Sequence, residues 1–392
     1  MNLRHALYLA SRYLRHAPTR TATLVLALGV ALFLPLFTWQ AANLIEAGLL
    51  HRADNSPILV GAKGDRFDLT MSTLYFRGSV QSPIRYGERH ALTQESLAIP
   101  LHVGHTVQRA PLVGTEADYL THRGLHVANG RPYALLGEVL AGSAVAERFD
   151  LQAGDTVRND IQQATNLAGA YPHQLRVVGV LDESGSPDDE ALFTSLPTVW
   201  MLDGHLHGHE AVTVANSLDA PKEGNEDDEV LEATAAIFMI QEVSDETRAK
   251  FHFHGEQDDL DVSGFLLVPT DQRAHDTLLG DLALSEHLQG VRPKQVVSEV
   301  LDILFATQRA LNFFFALVAL STAAFMWLVL SLSLRLRASE HALIRRMGGS
   351  RGTITALVVT EFAVVLTLAT LFALIARWAA VTALLTTLPS IG

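Results

Sequence analysis

Three apolar runs interrupt an otherwise polar chain. Thr21–Ile45 holds no charge between Arg20 and Glu46, and Ala310–Leu334 holds none between Arg309 and Arg335. Gly352–Ala376 carries only Glu361 between Arg351 and Arg377. A helix needs roughly 20 apolar residues to cross a bilayer, so each run predicts a transmembrane span. The first run is too long for the 7–15 residue core of a cleaved signal peptide, which favours an uncleaved span. Pro35 inside it predicts a kink.

Between the first two spans, short apolar stretches alternate with Gly, Pro and Asp. This pattern predicts strands at Ile58–Val60, Phe67–Met71, Ala98–Val103, Leu112–Val113, Gln174–Val180, Val199–Leu202, 235–241 and 264–269. A helix is expected within Leu136–Phe149, ending near Asp150, and further helices over Thr270–Leu284 and Lys294–Arg309, with a turn at Ala153–Asp155. The fold class is therefore a membrane protein. It has a helical bundle of three predicted spans, with a large α+β extracytoplasmic domain inserted between spans 1 and 2. Two lobes are expected in that domain, one of residues 95–205 and one of residues 55–95 with 210–295.

The flanks of the spans carry their own pattern. Leu3, Leu7, Ala10 and Leu14 share one helical stripe and Arg4, Arg12 and Arg15 lie off it, which predicts an amphipathic elbow helix broken at Pro18. Val296, Val300, Ile303 and Leu304 form a stripe that continues into the second span without Gly or Pro. A helix of about 40 residues there is a rod of roughly 60 Å. The expected organisation is a cytoplasmic elbow (1–20), span 1 (21–45), an extracytoplasmic domain (46–293), a stalk helix with span 2 (294–334), a cytoplasmic coupling segment (335–352), and span 3 with the C-terminal segment (353–392).

Charge orients this layout. The arm before span 1 carries Arg4, Arg12, Arg15 and Arg20 and no acid. The loop between spans 2 and 3 carries five arginines against Glu340. Both read as cytoplasmic, which leaves the large domain outside, in the periplasm. Of 29 basic and 42 acidic residues, four basic and none acidic fall in 1–45, and seven basic and two acidic in 306–392. The middle keeps 18 basic and 40 acidic. Such a surface excludes nucleic acid as a partner and attracts cations.

The chain has no cysteine, so it has neither disulfides nor thiolate metal sites. It has no phosphate loop: Gly61 with Gly64, and Gly348 with Gly349, read as turn glycines, and ATP must be bound by another polypeptide. No hydrolase constellation stands out, and the pair Asp188–Asp189 reads as loop carboxylates with no fixed partner. Fourteen of 17 histidines lie in the middle domain. His205, His207 and His209 alternate, and His252 and His254 precede Glu256, Asp258, Asp259 and Asp261. Imidazoles with carboxylates suit Zn²⁺ or Cu²⁺, so these five histidines are the candidate metal ligands. Glu361, inside a span, is expected to face the bundle or a partner.

Five blocks carry a family resemblance: RHAPTRTATLVLALGVAL (15–32), LVGTEADYL and GLHVANGRPY (112–133), EVLAGSAVAERFDLQAGDTV (138–157), LRVVGVLDESGSPDDEALFTSL (175–196) and RASEHALIRRMGGSRGTITALVVTEF (337–362). In order and spacing the chain resembles the permease subunits of MacB/FtsX-like, type VII ABC transporters. The resemblance implies a non-catalytic, multi-pass inner-membrane subunit. It implies a homodimer with a cytoplasmic ABC ATPase dimer, whose motion reaches the outer domain through stalk helices, a mechanism called mechanotransmission. Ala342–Thr353 would then sit on the ATPase. Glu340, Arg345, Arg346, Gly348, Gly349 and Arg351 are the candidate coupling residues. Zinc or another divalent metal is the expected cargo chemistry, with a periplasmic metal-binding protein, lipoprotein or adaptor as outer partner. The alternative is an FtsX-like regulator of a cell-wall hydrolase, without transport. Such permeases usually have four spans. Here three are expected, and a three-span member, a truncated chain or a final segment in the interface all fit.

Overall fold

The computed structural model describes the chain apart from residues 1–2, 17, 79–81, 161–172, 208–240, 244–247, 249–250, 254, 337, 339–341, 344–345, 347–350 and 388–392. Helices α1 (Leu3–His16) and α2 (Pro18–Asp54) come first. Strands β1 (Ile58–Ala62), β2 (Ile84–Arg85), β3 (Ser96–Val107), β4 (Ala110–Thr115), β5 (Val127–Gly130), β6 (Glu138–Ala141), β7 (Thr156–Arg158), β8 (His173–Leu181) and β9 (Leu192–Ser195) follow, with helices α3 (Arg66–Thr73), α4 (Arg89–Leu92), α5 (Ala117–Arg123), α6 (Ser143–Phe149) and α7 (Leu196–Leu202) between or after them. Strands β10 (Leu206–His207), β11 (Gln241–Glu242), β12 (His252–Phe253), β13 (Asp261–Val262) and β14 (Gly264–Pro269), helix α8 (Gln272–Leu284) and β15 (Leu288–Val291) lead to α9 (Pro293–Leu336) and α10 (Arg351–Thr387).

The chain divides into two compact units. One is formed by Met1–Glu46 with Val300–Leu388, the other centres on Ala47–Glu299. Among the described residues three helices are long and apolar enough to cross a membrane, within α2, α9 and α10. In the first unit Leu14, Leu24 and Leu28 pack with Met326, Val365 and Ala369. The stripe on α1 is thereby split: Ala10 and Leu14 are buried, and Leu7 is 44% exposed. Pro18 begins α2, where its missing N–H costs nothing, so the expected break falls between the two helices.

Among the described residues of the second unit one mixed sheet of 11 strands has the main order β11-β8-β6-β9-β4-β3-β14-β1-β15, with β5 and β7 also paired to β8. Its two faces are both covered. Ala98, Leu112, Val139, Leu192 and Phe265 belong to one apolar cluster, which also takes Val199 and Trp200 of α7 and Leu278 and Leu282 of α8. Ile99, Val113, Leu140, Phe193 and Leu266, each the next residue along, belong to the other cluster with Phe76, Tyr119 and Leu120. This is the period of two of a strand whose alternate side chains enter two different cores.

The expected two lobes are corrected by this sheet. Residues Ser96–Leu101 of β3 pair with β14 from the supposed flanking lobe, and β1 continues the ladder to β15. Two expected elements also change type. Phe67–Met71 is helical because the Asp65 carboxylate caps the turn, accepting from Phe67 N at 2.7 Å and Asp68 N at 3.0 Å. Val199–Leu202 is helical because Pro197 sits in the first turn of the helix, and periodicity does not separate helix from strand in so short an apolar run. The helix expected within Leu136–Phe149 is α6, which ends at Phe149 with Asp150 as its cap, and β6 precedes it. Gly61 is no turn glycine: it lies in β1, where a Cβ would come within 2.3 Å of Leu69 Cδ1. The strand expected over 235–241 falls mostly outside the described residues.

Glu138 opens β6 with its side chain only 3% exposed. It accepts from Arg131, from Ala134 N at 2.9 Å and from Leu135 N at 3.1 Å. Burial alone raises its pKa, but Arg131 and the two amides outweigh this and bring it from 4.5 to about 2. A depressed carboxylate stabilises the fold above its unfolded pKa, and that stability is lost as pH falls. The thermal midpoint of the wild type should therefore fall more steeply than that of Glu138→Gln between about pH 4.5 and about pH 2. Parallel slopes in thermal melts would refute this role.

Candidate functional site

Helix α2 supplies residues to both units without a break. Near its start Arg20 donates to Glu361 of α10, Nη2 to Oε1, at 2.8 Å. Glu361 is 5% exposed and Arg20 remains partly exposed, so the carboxylate is held within the bundle by a cation at the edge of the span. This is the partner that an intramembrane acid requires.

At the other end of α2, Arg52 is buried. Its Nη1 donates to Asp188 Oδ2 at 2.6 Å, and its Nη2 to Asp188 Oδ1 at 3.1 Å and to Tyr119 Oη at 3.0 Å. Its Nε donates to Leu74 O at 2.5 Å, and its guanidinium lies 5.0 Å from the Phe76 ring centroid. Tyr119 Oη donates in turn to Asp188 Oδ1 at 2.7 Å. Burial opposes both charges. Asp188 outweighs it and raises the Arg52 pKa, and Arg52 outweighs it and lowers that of Asp188. Burial pushes the Tyr119 phenol up to about 12. The pair Asp188–Asp189 is thus not a pair of free loop carboxylates. Asp188 belongs to this hub, and Asp189 accepts from Ser184 N at 3.0 Å and Gly185 N at 2.8 Å. Beside the hub, Lys294 of α9 pairs with Asp54 of α2 at 2.8 Å.

A third constellation lies on β3 and after α7. His105 Nε2 is 2.8 Å from Asp203 Oδ1, and His102 Nε2 is 3.2 Å from Asp203 Oδ2. His102 Nδ1 is 3.1 Å from Asp261 O, to which Trp200 Nε1 also donates at 2.8 Å. Burial alone raises the Asp203 pKa, and the hydrogen bonds and charge of the two histidines more than reverse this, holding the carboxyl well below its usual range. The three possible ligand atoms lie within 4.8 Å of one another.

The structure scatters the expected site residues. His205 follows α7, with its N–H donating to Trp200 O at 2.9 Å. His207 of β10 and His252 of β12 are register partners. His209 and His254 lie outside the described residues, as do Glu340, Arg345, Gly348 and Gly349. Arg346 is helical and exposed, and Arg351 begins α10. The Arg52 hub and the His102–His105–Asp203 group escaped sequence reasoning. The only local sign was the His-Val-Gly-His spacing at 102–105, because Asp203 is 98 residues from His105.

Removing one partner of a buried ion pair strands the other charge. Arg52→Ala should destabilise the purified chain by roughly 3–5 kcal/mol, and Tyr119→Phe by about 1–2 kcal/mol. Denaturant melts measure both, and an Arg52→Ala loss no larger than that of Tyr119→Phe would show that the pair is not buried as described.

No curated protein matches the chain. Two solved structures are similar at 11% identity. The extracellular domain of the noncanonic ABC-type transporter YknZ from Gram-positive bacteria has a TM-score of 0.31, covering 60% of this chain and 98% of that one. The periplasmic region of MacB from Actinobacillus actinomycetemcomitans has a TM-score of 0.32, covering 64% and 97%. The family described as the MacB-like periplasmic core domain matches residues 21–234, more than half of the 392-residue chain. By that match the chain belongs to the MacB/FtsX-like, type VII ABC transporter permeases.

Proposed function

We propose that this chain is the membrane subunit of a mechanotransmitting ABC system. Two copies work with a cytoplasmic ATPase dimer, and the chain itself catalyses nothing. The N-terminal arm and residues 335–352 face the cytoplasm, and residues 46–293 lie in the periplasm. One observation carries the reading: α2 and α9 each supply residues to both compact units as unbroken helices. Their ends are joined by Lys294–Asp54, and α2 is fastened to the α+β core by Arg52. A stiff helix with a fixed end transmits displacement, whereas a flexible linker dissipates it. At 44 residues, α9 is a rod of roughly 66 Å. Arg346 and Arg351 belong to the segment that docks on the ATPase. Divalent-metal handling is the cargo chemistry we favour, supported by the pairing of His207 with His252.

The absence of cysteine makes the orientation simple to test. In intact cells a membrane-impermeant maleimide should label Ser82→Cys and spare Ala338→Cys until the inner membrane is opened. The reverse pattern would overturn the topology. For the coupling itself, the ATPase should co-purify with the wild type, and ATP should change amide hydrogen exchange around Arg52 and Leu74–Phe76. Ser298→Pro breaks α9 at a cost of about 3 kcal/mol. It should retain the ATPase and abolish the ATP-dependent change. A change that survives this break would show that α9 does not carry the motion.

A further inference from the structure

We propose that His102, His105 and Asp203 form a binding site for one divalent transition-metal ion of the zinc class. The site is independent of ATPase coupling and of the segments that carry His207 and His252.

Strand parity supplies the first argument. Residues 102 and 105 of a regular strand point to opposite faces. Here His102 pairs with Gly114, Val103 with Val113, and His105 with Leu112, so Gly104 is an extra residue on β3. The bulge resets the alternation and lets both imidazoles reach one carboxylate. Asp203 arrives from another element, as the residue that ends α7.

The position of one proton supplies the second. The Asp261 carbonyl only accepts, so the contact with His102 Nδ1 is an N–H donation, and a neutral His102 carries its proton there. Trp200 Nε1 donates to the same oxygen, whose two lone pairs serve both residues. In the neutral ring Nε2 is then a bare lone pair, aimed at Asp203 Oδ2 from 3.2 Å. With His102 neutral, two acceptors would oppose each other where it is only 8% exposed, whereas with His102 protonated Nε2 donates to Asp203. A cation between them turns this repulsion into two bonds. The N–H to a main-chain carbonyl is also the outer contact that orients a metal-ligating histidine.

The ligand set narrows the ion. Two imidazoles and one carboxylate suit Zn²⁺ or Cu²⁺, and Ca²⁺ and Mg²⁺ prefer all-oxygen shells. Bonds of about 2.0 Å in a tetrahedron place neighbouring ligand atoms about 3.3 Å apart. The observed 3.2 Å is close to this, and the 2.8 Å contact must widen. Three protein ligands leave a fourth position for water.

The rival arrangement is an imidazolium–carboxylate pair at His102, which binds no metal. The test uses the full-length chain in detergent, stripped of metal and titrated with Zn²⁺ alone or Co²⁺ alone. The site predicts one tight equivalent per chain and visible Co²⁺ d–d bands. His105→Ala and Asp203→Asn should each weaken Zn²⁺ by more than about tenfold. Thermal melts of the metal-free variants establish that each is folded, and either folded variant suffices. A variant with His207, His209, His252 and His254 all changed to Asn should keep the tight equivalent. The proposal is overturned if the wild type takes up no ion at micromolar free metal, if the folded ligand variants bind as wild type does, or if the fourfold variant loses the tight equivalent.

Discussion

The buried pair Arg52–Asp188 is the contact on which the organisation of the α+β unit depends. It joins residues 136 positions apart and gathers the end of α2, the chain at Leu74, helix α5 through Tyr119 and the turn at Asp188 around one guanidinium. Such a pair adds little net stability, because desolvation offsets most of the attraction between the charges. Its value is specificity. A guanidinium without water must find acceptors in fixed directions, and Asp188, Tyr119 and Leu74 O supply them. The end of α2 is therefore set against the core in one geometry. In the function we propose, that geometry is what a moving helix needs.

The sheet provides the rigid body to which α2 is fastened. Adjacent residues on its central strands enter different apolar clusters, so the strands have no solvent face. A one-residue slip would exchange the two cores throughout, which keeps register strict. The exception, the bulge at Gly104, lies where β3 carries His102 and His105. Departure from regular pairing and concentration of polar groups coincide there.

The buried acids Glu138, Glu361 and Asp188 and the more exposed Asp203 show how the fold places acids against bases. Each is met by a basic side chain: Arg131, Arg20, Arg52, and His102 with His105. For Glu138 and Asp188 the partner is an arginine, which stays charged at any relevant pH and leaves no ambiguity about protons. At Asp203 the partners are imidazoles, which carry charge only when protonated, and His102 also contacts the Asp261 carbonyl through Nδ1. That difference separates a structural ion pair from a site fit for a metal.

Long-range composition was enough to reveal the spans, the charge asymmetry and the α+β character, because each depends on counts and periods along the chain. Blocks of the family's core segment were also legible, for their turns and apolar positions are local. The short helices at Arg66–Thr73 and Leu196–Leu202 misled because caps and a first-turn proline, not periodicity, decide them. Continuity of the sheet from β3 through β14 to β15 could not be read, since hydrogen-bond partners far apart in sequence leave no periodic trace. The sequence by itself determined which segments are apolar and long enough to cross a bilayer, since transfer free energy is additive along it. Only the tertiary structure decided that Arg52 meets Asp188 and that His102 and His105 meet Asp203, since ion pairing and ligand geometry act through space over a few ångströms.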